Sequence, residues 1–234
     1  MRIAMWSGPR NLSTALMYAF GNRADCEAWD EPFYAAYLAV SGADHPMRAA
    51  CLAAQPPDPF AVVERVLATT AKPHQYLKLM THHMLPGFPL DWAEGVSNVH
   101  LIRHPARVIA SYANKRDTMT LEDIGFAQAT TIYEALPGPI IDSADIRRAP
   151  EAMLRALCAA IGLPYDPAML AWAAGPKPFD GAWAPHWYDA VHRSTGFAAA
   201  EGPLPKVALQ HQGLLGAALP IYQTMHAQRV HPGS

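Results

Sequence analysis

Arg2-Ile3-Ala4-Met5-Trp6-Ser7-Gly8-Pro9-Arg10-Asn11-Leu12-Ser13-Thr14-Ala15-Leu16-Met17 is the stretch on which the fold turns. A short apolar run with strand character ends in Gly8-Pro9, passes through Arg10 and Asn11, and resumes with helical spacing at Leu12, Ala15, Leu16, Ala19 and Phe20. It reads as strand, loop, helix. The loop brings backbone N–H groups, the hydroxyls of Ser13 and Thr14 and the Arg10 guanidinium to a helix N-terminus, where positive potential favours a phosphate or sulfate. The nucleoside-triphosphate cradle G-x-x-x-x-G-K-[ST] does not fit, because Asn11 and Leu12 stand near where its second Gly and Lys belong. On this loop alone, an anion cradle and an ordinary strand-to-helix turn are equally good readings.

Outward from this stretch the chain alternates. Cys26-Glu27-Ala28-Trp29 predicts a short second strand that delivers Asp30-Glu31-Pro32 to its end. Phe33, Tyr34, Tyr37 and Leu38 then repeat with helical spacing behind Pro32, whose missing N–H costs nothing in a first turn. Capping of that helix accounts for Asp30 but not for Glu31, which shares the rim of the opening loop if the first two strands are parallel neighbours. Region 41–59, rich in Ala, Pro and Asp, predicts an irregular excursion placed to cover the site, and Phe60 to Thr70 a helix. Gln75-Tyr76-Leu77-Lys78-Leu79-Met80 predicts a third strand, in which Lys78 is costly unless its ammonium reaches an anion or water at the strand end. If the strand continues through Thr81-His82-His83, alternation sets His82 on the face of Lys78 and His83 on the other.

Val99 to Ile102 predicts a fourth strand ending in Arg103-His104-Pro105, and Ala106 to Lys115 a helix that carries Ser111 two turns in. Arg103 and Ser111 suggest a second anion site; the alternative is an Arg–acid pair and a surface serine. Thr120 to Leu136 predicts a helix opening on a Thr-Leu-Glu-Asp capping pattern, Pro139 to Asp142 a fifth strand, and Asp145 to Gly162 a helix striped by Met153, Leu154, Leu157 and Ile161 and stopped by Gly162. This alternation predicts an α/β fold, a mostly parallel sheet covered on both faces, with ligands at the strand C-termini. Gly175 to Tyr188 is a loop dense in Pro, Gly and aromatics, either facing a ligand or packed on the body. Pro203 to Val230 predicts a helical segment, interrupted near Pro220, against the sheet or against a second subunit, so a homo-oligomer stays open.

The composition bounds what the chain does. With 234 residues and no low-complexity linker, a single domain over 1–234 is expected. Apolar residues make up 51% and the formal net charge is −2, which argues against disorder and against a nucleic-acid-binding surface. Cys26, Cys51 and Cys158 have no paired metal spacing and suit free thiols in a reducing compartment; no metal is expected. A strand from Arg2 leaves no room for a cleaved signal, and no apolar run approaches membrane-spanning length, so a soluble cytoplasmic protein is expected.

Two motifs in the right order bring a family to mind: the chain resembles the sulfotransferases that use 3′-phosphoadenosine 5′-phosphosulfate (PAPS). Their 5′-phosphosulfate loop, Pro-[Lys/Arg]-Ser-Gly-[Thr/Ser]-Thr after a strand, is matched by Pro9-Arg10-Asn11-Leu12-Ser13-Thr14, with Asn11 and Leu12 in place of Ser-Gly. Their 3′-phosphate motif, Arg-x-Pro with a later Ser, is matched more specifically by Arg103-His104-Pro105 and Ser111. Asp142 through Ile146 to Gly162-Leu163 is similar to the family's acidic stretch and following helix, and Lys177 through Trp183 to its C-terminal nucleotide-covering segment. The Asp30-Glu31-Pro32-Phe33 element is most like that of a bacterial sulfotransferase-like group.

The resemblance implies a P-loop-like three-layer sandwich and transfer of a sulfuryl group from PAPS to a hydroxyl or amine of a small molecule, without a metal. It implies that Pro9, Arg10, Asn11, Leu12, Ser13 and Thr14 hold the 5′-phosphosulfate, Arg103 and Ser111 the 3′-phosphate, and Lys177 and Trp183 the covering segment. Arg10 then stabilises the leaving group, Lys78 assists the sulfuryl oxygens, and the general base is Glu31 or a histidine of the His82–His83 pair, Glu31 being preferred. A catalytically inert nucleotide- or anion-binding module on the same scaffold is the alternative, for which Asn11-Leu12 speaks.

Overall fold

The computed structural model describes residues 1–113 and 118–232. Strands β1 (Arg2–Ser7), β2 (Cys26–Asp30), β3 (His74–Met80), β4 (Ser97–Ile102) and β5 (Ile140–Asp142) form one sheet in the order β2-β3-β1-β4-β5, every pairing parallel. The strands therefore all end on the same rim. The connecting helices are α1 (Ser13–Gly21), α2 (Tyr34–Ser41), α3 (Arg48–Ala54), α4 (Pro59–Leu67), α5 (Pro105–Ala113) and α6 (Phe126–Ala135). After β5 come α7 (Ser143–Arg148), α8 (Pro150–Ala160), α9 (Ala184–Trp187), α10 (Asp189–His192) and α11 (Gln212–His226).

Alternation along β1 divides the core. Ile3 and Met5 join Leu16, Met17 and Phe20 of α1 and Met153, Leu154 and Leu157 of α8 on one face. Ala4 and Trp6 join Val62 and Val66 of α4 and Ile132 of α6 on the other. Near β5, Ala218, Tyr222 and Met225 of α11 pack on Val108 and Ile109 of α5. The expected α/β three-layer sandwich is thus the observed architecture. Among the described residues no helix is long and apolar enough to cross a membrane, and the three cysteines are free and buried.

Several elements differ from the sequence reading. β3 and β4, not β2, flank β1, although β1 and β2 still end on the shared rim. The 41–59 excursion contains α3. The Thr120 capping pattern does form, with Asp123 N bonded to Thr120 Oγ1 at 3.2 Å and Thr120 N to Asp123 Oδ2 at 2.9 Å. It closes only a turn, because the chain reverses at Gly125 (φ 77°) and α6 begins at Phe126. Pro150 has no N–H and disfavours helical backbone at the residue before it, so the expected helix splits at Ala149 into α7 and α8. α11 runs through Pro220 unbroken and packs against α5, β4 and β5. The end of the helix expected to reach Lys115 lies outside the described residues.

Candidate active site

The loop between β1 and α1 is built for close approach. A Cβ on Gly8 would lie 2.7 Å from the Ile124 carbonyl oxygen, and one on Gly125 would lie 2.9 Å from Gly8 Cα. Arg10 (φ 64°) and Leu12 (φ 76°) both take left-handed backbone. Leu12 thus adopts the conformation a glycine would hold freely there. Asn11 is buried, and its Nδ2 donates to the Leu101 carbonyl of β4 at 3.2 Å, pinning the loop to the sheet. Leu12, at the N-cap of α1, supplies no side-chain cap, so the N–H groups of Ser13 and Thr14 in the first turn remain directed at whatever enters the loop.

β4 lies beside β1, and so the Arg103 that follows it reaches the same place. Arg103 Nη1 donates to the Arg10 carbonyl at 2.5 Å, and Arg10 Nε donates to Ser111 Oγ at 2.9 Å. Arg103 Nε is buried without a hydrogen-bond partner. Burial first, and the charge of Arg103 second, lower the pKa of the Arg10 guanidinium, as expected for cations crowded into a space suited to an anion.

The third component sits where β2 and β3 end. Lys78 Nζ lies 3.0 Å from Asp30 Oδ1, 2.5 Å from Glu31 Oε1 and 2.5 Å from the Tyr188 hydroxyl, which uses its three N–H donors. The Tyr188 oxygen also accepts from Trp183 Nε1 at 3.1 Å and donates to Asp30 Oδ2 at 2.7 Å. Burial opposes the Lys78 charge, but Asp30 and Glu31 outweigh it and hold the ammonium above its ordinary pKa. Burial, reinforced by Asp30 and opposed by Lys78, raises the Glu31 carboxyl above the ordinary carboxylate range. Lys78 bonds Glu31 through Oε1, and Oε2 lies 3.9 Å from His83 Nε2.

That last contact corrects the parity argument. β3 stops at Met80 and Thr81–His83 form a 3₁₀ turn, so His83, not His82, is carried to the Glu31 carboxylate. His83 stacks on Tyr34 with ring centroids 4.5 Å apart, and burial, then the neighbouring His82 and His45, drive its pKa well below the usual value.

One cavity of about 390 Å³ joins these components. Pro9, Arg10, Asn11, Leu12, Ser13, Thr14, Glu31, Lys78, His82, His83, Arg103, Ser111 and Trp183 all line it. Lys177 does not: its Nζ donates to the Ala173 carbonyl at 2.5 Å and lies over the Tyr18 ring. Sequence reasoning gave Asp30 only a capping role and Tyr188 only a place in an aromatic loop. An Asp-Glu pair beside a strand lysine was the available signal for Asp30; Tyr188 arrives from a remote loop that no local pattern ties to β2. The same holds for Ser194, Gly196 and Ala198, which line the cavity.

Comparison with known proteins places this geometry. The model of the sulfotransferase domain family matches residues 1–229. Two Arabidopsis thaliana proteins, branched-chain-amino-acid aminotransferase-like proteins 2 and 1, are each 36% identical over 238 aligned residues covering 99% of this chain. The chain spans only 42% and 43% of their lengths, and their names describe the whole proteins. Among solved structures, the sulfotransferase domain of the Synechococcus PCC 7002 olefin synthase superposes with a TM-score of 0.50 at 17% identity, over 93% of this chain and 94% of that one. A sulfotransferase domain from the curacin biosynthetic pathway gives 0.50 at 14% identity, over 97% and 91%. At these identities the likeness is one of fold.

Proposed function

From the premise that this chain belongs to the sulfotransferase domain family, we propose that it transfers a sulfuryl group from PAPS to a hydroxyl or amine of a small-molecule acceptor. The observation that carries the reading is the convergence of two arginine-bearing anion positions and a buried carboxylate on one cavity. A donor phosphorylated at both ends of a ribose suits Arg10, Ser13 and Thr14 at one end and Arg103 and Ser111 at the other. The partnerless Nε of Arg103 is a donor that such a ligand would satisfy.

In the reaction, an acceptor oxygen or nitrogen forms a bond to sulfur while the bridging S–O bond breaks, releasing adenosine 3′,5′-bisphosphate. Arg10 and the first turn of α1 stabilise charge on the departing oxygen. Glu31 takes the acceptor proton at Oε2. Burial raises the pKa of Glu31, which favours its taking a proton, and lowers that of His83, which opposes it. Lys78 acts as the fixed counter-charge that orients Glu31, because its donors are already engaged.

Titration calorimetry with adenosine 3′,5′-bisphosphate and with ATP·Mg²⁺, followed by transfer of label from PAPS to a panel of hydroxylated and amine acceptors, tests this. Tight binding of the bisphosphate, weak binding of ATP and label on an acceptor are expected. Bisphosphate binding without transfer to any acceptor selects the inert module instead, and preference for ATP removes the PAPS reading.

A further inference from the structure

We infer that Arg103, Arg107 and Arg147 form a seat for a phosphate monoester dianion, and that the carboxylate of Glu201 fills that seat from within the protein when no such ligand is bound. The inference rests on the donor reading above and extends it to residues which that reading does not use.

The three arginines come from separate elements on one rim. Arg103 follows β4, Arg107 lies in the first turn of α5, and Arg147 lies in α7 just after β5. Their guanidinium groups meet at a single side chain. Arg147 Nη1 lies 2.7 Å from Glu201 Oε1, Arg107 Nε lies 3.0 Å from Glu201 Oε2, and Arg103 Nη2 also donates to Oε1. The Glu201 side chain is 5% exposed. Among the described residues, Glu201 is the carboxylate with which these three cations pair, so three positive charges are held by one negative charge. A carboxylate has two oxygens to share among three guanidinium forks. A phosphate monoester has three terminal oxygens and nearly twice the charge, and it matches the forks better.

Glu201 also arrives in a way that suits a removable occupant. It belongs to neither helix nor strand but to the segment between α10 and the turn before α11. The arginines hold that segment by its backbone: Arg147 Nε donates to the Ala199 carbonyl at 2.8 Å, and Arg107 Nη2 donates to the Gly202 carbonyl. Ala198, just upstream, and Arg103 both line the main cavity, so the seat adjoins the space proposed for the donor. A ligand phosphate entering there competes with Glu201 for the same donors, and its apparent affinity is reduced by the fraction of molecules in which the carboxylate is seated.

Calorimetry on the full chain and on Glu201→Gln, with adenosine 3′,5′-bisphosphate, 5′-AMP and inorganic phosphate at constant ionic strength, reads this directly. Glu201→Gln is expected to bind the bisphosphate roughly tenfold more tightly and 5′-AMP unchanged, and Arg147→Gln to bind the bisphosphate roughly tenfold more weakly. Unchanged or weaker bisphosphate binding by Glu201→Gln overturns the inference, since a purely structural ion pair predicts that result. If the bisphosphate binds neither protein while inorganic phosphate binds Glu201→Gln more tightly than wild type, the seat stands and the donor reading falls. Hydrogen exchange on the wild type guards against a misfolded variant: saturating bisphosphate is expected to speed exchange of the amides of residues 199–202, and unchanged or slower exchange overturns the displacement.

Discussion

Arg10 Nε donates to Ser111 Oγ across 2.9 Å, so two residues assigned to opposite ends of one nucleotide are joined directly. A donor nucleotide has to replace this bond with contacts of its own at each end. Arg10→Ala is therefore expected to slow transfer by about 10²- to 10³-fold. Ser111→Ala is expected to weaken adenosine 3′,5′-bisphosphate by up to about tenfold while sparing 5′-AMP. Equal weakening of both nucleotides would separate Ser111 from the 3′-phosphate.

On the proposed mechanism, Glu31 sets the acid side of the pH profile. Its carboxyl pKa is raised by burial, so the basic form is lost, as pH falls, at a pH above that of an ordinary glutamate. The profile of kcat/KM is expected to bend downward in that range, and Glu31→Gln to lose activity by about 10²-fold or more. His83→Ala is expected to keep the bend. Loss of the bend in His83→Ala, with activity retained in Glu31→Gln, would reverse the assignment.

Leu12 inverts the usual ranking of glycine and alanine. At φ 76° a side chain costs about 1–2 kcal/mol, whereas glycine is free of that penalty. Both Leu12→Gly and Leu12→Ala lose the packing of the leucine on the core, but only the first relieves the backbone. Urea unfolding is expected to find Leu12→Gly at least as stable as Leu12→Ala. A glycine variant clearly less stable than the alanine variant would refute this.

His100 makes the fold sensitive to mild acid. Burial lowers its pKa from 6.5 to about 4 in the folded chain. Between those values the unfolded chain binds the proton and the folded chain does not, so stability falls as pH falls. The contribution amounts to about 2 kcal/mol between pH 7 and pH 5. Glutamine at this position retains an amide to donate to the Leu136 carbonyl, as His100 Nε2 does, but does not titrate. His100→Gln is expected to lose about 2 kcal/mol less than wild type over that interval in urea titrations, and an equal loss would exclude the histidine as its source.

The sheet, its rim and the opening strand, loop and helix were legible because each rests on a local pattern. Gly8-Pro9 ends a strand, Pro105 begins a helix, and Lys78 in an apolar run demands an anion. What was not legible depends on where elements stop or meet. The position of His83 followed from β3 ending at Met80, and alternation carries no signal for that. Tyr188 and Glu201 reach the site from segments far along the chain, held by hydrogen bonds to Asp30 and by ion pairs to three arginines. Their partners are specified by tertiary geometry rather than by spacing.

Asp30 and Glu31 are consecutive, and in an extended strand their side chains would point to opposite faces. The backbone at Glu31 turns to φ 40°, and both carboxylates close on the Lys78 ammonium. Lys78 is itself the register partner of Asp30 across the outermost parallel pairing of the sheet. A slip of β2 by one residue would leave the other pairings of the sheet intact, yet it would strand the ammonium and carry the Glu31 carboxylate away from it. On the proposed mechanism, turnover would therefore gauge registration at this edge of the sheet, because the pairing that aligns β2 also sets Glu31 beside Lys78.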